Sequence, residues 1–386
     1  MLAGNRPPKV HRMKWLIVNT DYPEFLRSFY AEHPALSEQP YDKQIRARQE
    51  SLFGVADFYS RNLHKLGHQA HEIYLNNEPL QRSWAAEHGV SLPPPRRSLQ
   101  IRLRRGVVPW PTVRPDPAWM RTVLDAQIKH DKPDVILNQD VRMIDAPFLK
   151  RADASVRFVI GQHAAPLANT VNLRGYDLML SSLPNFVDRF RRDGLKAELH
   201  RLAFEPRVLE SLEPARQPID VSFVGTLSRD HRSRVELVEH LCRHTPLRVW
   251  GPGADKLAAS SPIRGRHQGP AWGKRMYEIL RDSRATLNHH IGVAGEFANN
   301  MRLYEATGVG TLLLTDWKTN LSKLFEPDRE VVAYRSSVEC AERIEYYLRH
   351  EAERTAIAHA GQQRTLREHT YERRIQELVD MVNRRL

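Results

Sequence analysis

The sequence predicts an α/β protein with two Rossmann-like domains, each built on a mostly parallel sheet. Short apolar runs alternate with longer helical patterns, which is typical of consecutive strand–helix units. The pattern is interrupted around Pro206, Pro214 and Pro218 and then starts again. A length of 386 residues is enough for two or three domains. We therefore expect an N-terminal domain over residues 1–205, a C-terminal domain over 206–370 and a final helical segment over 371–386.

Each predicted element follows from its local pattern. Apolar runs bounded by Gly, Pro or Asp indicate strands, and apolar residues three and four apart indicate helices. In the N-terminal half these patterns predict strands over 14–19, 70–74, 135–138, 156–160 and 178–181, with helices over 51–66 and 117–130. In the C-terminal half they predict strands over 221–225, 247–251, 285–290 and 311–315, with helices over 233–244, 273–281 and 300–307.

The net charge of +12 allows two interpretations. One is a surface for nucleic acid or another polyanion, and the other is a site that attracts phosphorylated small molecules. The densest basic stretch, 96–105, follows Pro93-Pro94-Pro95 and lacks aromatic residues at the spacing of a base-stacking module. We expect this stretch to be a solvated loop, or secondly a surface for an acidic acceptor or an anionic membrane.

The apolar runs and the cysteines suggest a location. No run approaches the 18 to 20 apolar residues that a membrane helix needs, so we expect neither a signal peptide nor a transmembrane segment. Cys242 and Cys340 are far apart and outside any C-x-x-C spacing. This usage is typical of a reducing compartment and excludes a zinc cluster built on cysteine, so we expect a cytoplasmic protein.

Several common motifs are absent. The segment 269–274 is one residue short of a P-loop and continues with Arg275, and Gly251-Pro252-Gly253 lacks the third glycine of a dinucleotide fingerprint. There is no G-x-S-x-G, no H-E-x-x-H and no D-x-D. We therefore expect no metal site.

The most informative stretch is 285–310. A predicted strand leads into a loop that carries Glu296 and Asn299, and a predicted helix begins near Asn300. Backbone amides and the positive end of the helix dipole form an anion-binding site at such a position. Arg302 in the first turn opposes the dipole, and a bound diphosphate would offset that repulsion. Glu305 shares its face and could accept hydrogen bonds from ribose hydroxyls, although an Arg302–Glu305 ion pair on a solvated face is the alternative.

A second candidate element follows the strand at 221–225. Gly225 lies at the carboxyl end of this strand, where open parallel sheets bind ligands, and Gly251 ends the next strand. Thr226 and Arg229 come next and could reach a diphosphate. Arg232 and Arg234 follow, and one or more of the three arginines could share that role.

These residues carry a family resemblance. Residues 221–225, Val249-Trp250-Gly251 and the pattern Asn300-x-Arg302-x-x-Glu305-Ala306-x-Gly308-x-Gly310 resemble the donor domain of glycosyltransferases with the GT-B fold. The CgeB-like (spore maturation protein-like) group is the most similar. The resemblance is strong over 221–371 and implies two domains facing a central cleft. It also implies a UDP-, GDP- or TDP-sugar held by the C-terminal domain as co-substrate, a small-molecule, glycan or protein acceptor held by the N-terminal domain, no metal, and a final helix that crosses back.

One position departs from the resemblance. Related retaining enzymes carry two glutamates separated by seven residues, and the position that would pair with Glu305 is Phe297, with Glu296 one residue earlier. Retention and inversion of sugar stereochemistry therefore both stay open.

Two residues of the N-terminal half are candidates for a general base. His163 follows a strand and is similar to a histidine that many GT-B enzymes place near the transferred sugar. Asp21 follows the first strand, and an Asx-type turn before Pro23 is its structural alternative. Asn138, Gln139 and Asp140 end another strand and could contact the acceptor.

The sequence thus predicts a metal-independent glycosyltransferase that uses a nucleotide sugar. Two alternatives stay open: a non-catalytic protein that binds nucleic acid or polyanions, and a nucleotide-sugar epimerase of the same fold. We expect no nucleic-acid partner.

Overall fold

The computed structural model describes residues 12–93, 97–104, 108–115, 118–168, 170–228 and 232–386, with only the backbone described for 97–104 and 108–115. Its strands are β1 (Lys14–Asn19), β2 (Gln69–Tyr74), β3 (Arg97–Arg104), β4 (Val108–Pro115), β5 (Val135–Asn138), β6 (Phe158–Gln162), β7 (Leu178–Ser181), β8 (Ala197–Leu199), β9 (Ile219–Val224), β10 (Leu247–Trp250), β11 (Ser283–Asn288), β12 (Leu312–Asp316) and β13 (Val332–Tyr334).

The helices alternate with these strands. They are α1 (Pro23–Glu32), α2 (Tyr41–Glu50), α3 (Phe58–Lys65), α4 (Glu78–Glu87), α5 (Ala118–Asp131), α6 (Ala146–Ala152), α7 (Pro184–Arg192), α8 (Arg207–Glu210), α9 (Arg232–His244), α10 (Ile263–Arg266), α11 (Gly273–Arg281), α12 (Met301–Gly308), α13 (Ser337–Arg349), α14 (Glu351–Glu368) and α15 (Tyr371–Asn383). Within the described ranges, no helix combines the length and the apolar character that crossing a bilayer requires.

The chain divides into two compact units. The first comprises residues up to Arg48, Gly67–Gln162 and Ala168–Asp177, and the second comprises Gln49–Leu66, His163–Leu167 and Leu178–Leu386. The second unit thus includes α3 and α15, which pack against each other. The domain limits at residues 205 and 370 stay a prediction. They divide the chain by the ligand that each part would hold, whereas the two compact units differ in their internal contacts.

The first unit contains four parallel strands in the order β2-β1-β5-β6. Lys14 pairs with Gln69, Trp15 with Val135, and Val135 with Phe158. Residues 15–18 are buried, which explains why the strand is a continuous apolar run rather than an alternating one.

The stretch predicted as a solvated loop is a hairpin in its described part, so that prediction was wrong. β3 and β4 pair antiparallel, with Arg97 opposite Pro115 and Arg104 opposite Val108. Residues 98–104 alternate between polar and apolar types, a period-two pattern that favours a strand. The prolines at positions 109, 111 and 115 occupy alternate positions, so their missing N–H groups lie on one side of the strand.

The predicted helix over 51–66 is shorter than expected. Only Phe58–Lys65 is helical, because Leu52, Gly54 and Ala56 have φ angles of 57°, 61° and 39°. Positive φ angles are incompatible with a right-handed helix.

The second unit contains the parallel pair β7–β8 and a five-stranded sheet in the order β10-β9-β11-β12-β13. Val221 pairs with Leu247 on one side and with Ala285 on the other, and Ala285 pairs with Leu312. Side chains of β9–β13 form a buried core with α9, α13 and α14. The chain leaves β9 to one side to form β10 and to the other side to form β11. The carboxyl ends of β9 and β11 are therefore the switch point at which such sheets bind ligands.

Candidate functional site

The start of α12 is fixed by a chain of side-chain amides. Asn300 is the N-cap residue, and its Oδ1 accepts a hydrogen bond from Leu303 N at 3.3 Å. Its Nδ2 donates to Asn288 Oδ1 at 2.6 Å, and Asn288 Nδ2 donates to Thr315 Oγ1 at 2.9 Å. The position of the helix terminus is thereby tied to the ends of β11 and β12.

Arg302 and Glu305 form the intrahelical ion pair that the sequence offered as an alternative, but the pair is not on a solvated face. Arg302 Nη1 lies 2.8 Å from Glu305 Oε2, and the two side chains are only 13% and 7% exposed. Burial raises the pKa of Glu305, and the charge of Arg302 opposes this increase. Arg302 Nη2 also donates to Val224 O at 3.0 Å, which places the guanidinium at the end of β9.

Arg234, in the first turn of α9, bridges the two strands of the switch point. Its Nη1 donates to Thr226 O at 3.2 Å, just beyond β9, and its Nη2 donates to His289 O at 2.8 Å, just beyond β11. The sequence places three arginines near this turn but does not show which of them faces the sheet, because that depends on where α9 begins. Arg229 lies outside the described residues.

The guanidinium groups of Arg234 and Arg302 carry like charges that repel each other. Burial lowers the pKa of Arg234 to about 10; Asp316 and Tyr334 oppose this shift, and the charge of Arg302 adds to it. The Nε atoms of Arg234 and Arg302 are both buried and have no hydrogen-bond partner within the described part of the chain. Unpaired buried donors and neighbouring like charges are both unfavourable, and a bound anion would relieve both.

The loops that follow β9 and β10 approach each other closely. Gly225 N donates to Trp250 O at 3.0 Å, and Gly251 N donates to Gly269 O at 2.9 Å. Gly251 has a φ of 124°, and a Cβ on it would lie 2.2 Å from Gly225 O. The two predicted glycines thus shape the sheet edge, and the carbonyl of the predicted Thr226 holds Arg234.

Replacing Gly251 by alanine is expected to destabilise the protein by about 2 kcal/mol or more, because the φ is strained for alanine and the added atom overlaps a backbone oxygen. Urea unfolding measures the change. Gly265→Ala is the matched control, since Gly265 lies in α10 and a Cβ there meets nothing within 4 Å. Equal stability of both variants would contradict this packing argument.

The loop between β11 and α12 carries the other two predicted donor residues. Asn299 is buried, and its Nδ2 donates to Ser182 Oγ at 2.6 Å. Glu296 is exposed, and its main-chain oxygen accepts hydrogen bonds from Thr319 N and Oγ1. Phe297 is partly buried. The side chain of Asn299 is thus engaged with the protein, whereas that of Glu296 faces solvent.

The two candidate bases lie in different units. His163 is 6% exposed, and its Nε2 lies 2.7 Å from Ala165 O. Nε2 must therefore carry a proton, so only Nδ1 could accept one. Asp21 accepts hydrogen bonds from Arg48 Nε at 2.9 Å and Arg48 Nη2 at 2.5 Å, and both side chains are almost fully buried. This bidentate pair favours a structural role for Asp21.

Other polar residues at the strand ends of the first unit hold their own loops. Asn138 Nδ2 donates to Ile144 O at 2.8 Å, and Asp140 accepts from Thr20 Oγ1 at 2.8 Å and from Arg142 Nε at 2.9 Å. The described residues contain no group of three or more His, Cys, Asp or Glu side chains placed to hold a metal ion.

Part of the chain is similar in sequence to a family of known proteins, and its fold is similar to that of several solved structures. Residues 231–380 match the family model described as glycosyl transferase-like. No curated relative matches the sequence significantly. Among solved structures, HepE of Anabaena in complex with UDP-glucose has a TM-score of 0.61 at 10% identity, over 96% of this chain and 100% of that one.

Two further solved structures are similar over nearly their whole length. Sucrose-phosphate synthase of Thermosynechococcus elongatus has a TM-score of 0.57 at 10% identity, and a glycosyltransferase of Rickettsia africae has a TM-score of 0.56 at 11% identity. In both cases the similarity covers 97% of this chain and 99% of the other. The two-domain α/β fold of this chain is thus the fold of GT-B glycosyltransferases, as the resemblance implied.

Proposed function

We propose that the chain is a glycosyltransferase that moves a sugar from a nucleoside-diphosphate sugar to an acceptor hydroxyl, with the donor diphosphate at the carboxyl ends of β9 and β11. The observation that carries this proposal is the pair Arg234 and Arg302 at the switch point. Both guanidiniums are held by main-chain oxygens, and both keep a buried N–H donor without a partner in the described part of the chain.

The arrangement suits electrostatic catalysis. When the sugar leaves, negative charge develops on the nucleoside diphosphate, and fixed cations stabilise it without reorganising during the reaction. Val224 O, Thr226 O and His289 O fix these cations before donor binds. Glu305 is held one turn behind by Arg302 and would accept hydrogen bonds from the ribose hydroxyls.

The match of residues 231–380 to a glycosyl transferase-like family supports the reaction class. The structure of HepE with UDP-glucose supports a nucleotide sugar as co-substrate. Membership of the CgeB-like group is also part of the proposal, supported by the pattern of Asn300, Arg302 and Glu305. A cytoplasmic location is supported by Cys242 and Cys340, which are buried free thiols.

The N-terminal part of the chain would hold the acceptor, which could be a small molecule, a glycan or a protein. His163 is the proposed base if the enzyme inverts, acting on the acceptor hydroxyl. We propose His163 rather than Asp21, because the Asp21 carboxylate is already paired with Arg48. The proposed return of residues 371–386 toward the N-terminal part of the chain is supported by the packing of α15 on α3.

Titration with UDP-, GDP- and TDP-sugars at high salt tests donor binding. One of them is expected to stabilise the protein saturably, by about 2.7 kcal/mol when its concentration is 100 times the Kd. Thermal unfolding measures the shift, and single-stranded oligonucleotide is the comparison ligand. Steep salt-sensitive binding of oligonucleotide without any response to nucleotide sugars would instead favour the polyanion-binding alternative. Conversion of the donor to a sugar epimer without acceptor would favour the epimerase.

A further inference from the structure

The segment of residues 316–320 begins with the last residue of β12. Four of its five residues form hydrogen bonds with the loop between β11 and α12. Asp316 Oδ1 accepts from His290 N at 3.0 Å and from His290 Nδ1 at 2.6 Å. Lys318 Nζ donates to Gly295 O at 2.8 Å. These contacts fix the first half of the loop, and the next two residues of the segment fix the second half.

Thr319 and Asn320 bind the main chain of the second half. Thr319 donates to Glu296 O from its main-chain N at 2.9 Å and from Oγ1 at 2.8 Å. Asn320 Oδ1 accepts from Ala298 N at 2.5 Å, and its Nδ2 donates to Ala298 O at 3.2 Å. The side-chain amide of Asn320 thus makes the two main-chain hydrogen bonds that a neighbouring β-strand would otherwise make with Ala298.

The loop has little structure of its own. Between Ile291 and Asn299 it contains one 3-10 turn, Gly292–Ala294, and Gly295 has a φ of 57°. A loop of this kind is mobile unless other elements hold it, and ordering it only when a ligand binds would weaken the binding. The loop leads directly into Asn300, Arg302 and Glu305.

Asp316 is surrounded by groups that favour its charged form. Burial alone would raise the pKa of Asp316, but the hydrogen bond from His290 and the charges of His290, His289 and Lys318 lower it to about 2. The His290 side chain is fully buried, and Asp316 Oδ1 accepts hydrogen bonds from both its main-chain N and its ring, which ties the start of the loop to the last residue of β12.

We propose that residues 316–320 are a positioning segment that keeps the 290–299 loop in its nucleotide-binding conformation, with Asn320 as the residue that holds Ala298. This inference rests on the proposed function, since it assigns the loop to donor binding. It predicts that loosening the segment weakens nucleotide binding without removing any group that touches the nucleotide.

The test compares Asn320→Ala with wild type in two measurements. Hydrogen exchange of amides 291–299 is expected to accelerate at least about five-fold, because the loop then opens more often. The Kd for UDP and for the preferred nucleotide sugar is expected to rise by a similar factor. Asn320→Asp keeps the acceptor for Ala298 N and should recover most of the protection. Asn172→Ala, which removes an amide from an exposed Asx turn in another loop, is the matched control.

The outcomes are distinct. Faster loop exchange together with weaker binding supports the proposal, whereas unchanged exchange, or faster exchange with unchanged affinity, overturns it. If wild type binds none of the nucleotides tested, the proposed function has failed and the positioning role fails with it, although exchange still shows whether the segment orders the loop. If Asn320→Ala does not fold, Thr319→Val removes only the Oγ1 hydrogen bond and is judged by the same measurements.

Discussion

Replacement of Arg302 by alanine is expected to lower kcat/KM for sugar transfer by at least about 100-fold, which is the scale found for removing one fixed charge-stabilising donor. The guanidinium lies at the end of β9, held by Val224 O, where the departing diphosphate is proposed to lie. Steady-state kinetics with the donor identified by titration measures the change.

A control is needed that distinguishes a loss of catalysis from a loss of stability, because Arg302→Ala leaves Glu305 buried without its ion-pair partner. Removing one member of a buried ion pair costs roughly 3 kcal/mol or more, whereas replacing both members is much less harmful. The double variant Arg302→Met with Glu305→Gln should therefore unfold close to the wild-type temperature and still fail to bind the nucleotide. A folded double variant with wild-type affinity would contradict the assigned site.

Acidification from pH 7 to pH 4.5 is expected to destabilise the protein through two buried histidines. Burial lowers the pKa of His200 from 6.5 to about 4, assisted by the charge of Arg374, and burial is also the largest cause for His369, whose pKa is about 4 as well. As pH falls below 6.5, His200 and His369 become protonated in the unfolded chain. In the folded protein they stay neutral down to about pH 4. Stability therefore decreases with falling pH across this window, by up to about 3 kcal/mol for each histidine.

Urea unfolding at several pH values measures this loss. The double variant His200→Gln with His369→Gln should show a markedly smaller decrease between pH 7 and pH 4.5 than wild type. His359→Gln is the matched control, because His359 is exposed on α14 and its replacement should leave the slope unchanged. An equal slope in wild type and the double variant would show that these two histidines are not the source of acid sensitivity.

The elements of the sheets could be predicted from the sequence because their signals are local. Leu312, Leu313 and Leu314 form an uninterrupted apolar run, and Asn300 precedes a helical pattern, so β12 and the start of α12 follow from neighbouring residues alone. The candidate donor-binding residues Arg302 and Glu305 could also be identified from neighbouring positions, because they share one helical turn. The antiparallel pair β3 and β4 was missed because three prolines in a row upstream and several nearby arginines outweighed the period-two alternation of β3.

The rest of the site depends on contacts between distant segments. Arg234 gains its place because α9 turns it toward both β9 and β11, and no pattern within α9 shows this. Asn320 holds Ala298 from 22 positions away, and a polar residue in a turn after a strand is ordinarily read as solvated. The pairing of Asp21 with Arg48 likewise joins a strand end to a helix 27 positions later.

A crystal structure of the protein with UDP tests the account most directly. It should show the diphosphate oxygens within hydrogen-bond distance of Arg302 or Arg234, and the ribose hydroxyls donating to Glu305. A nucleotide bound away from the carboxyl ends of β9 and β11, or a ribose that makes no contact with Glu305, would contradict it.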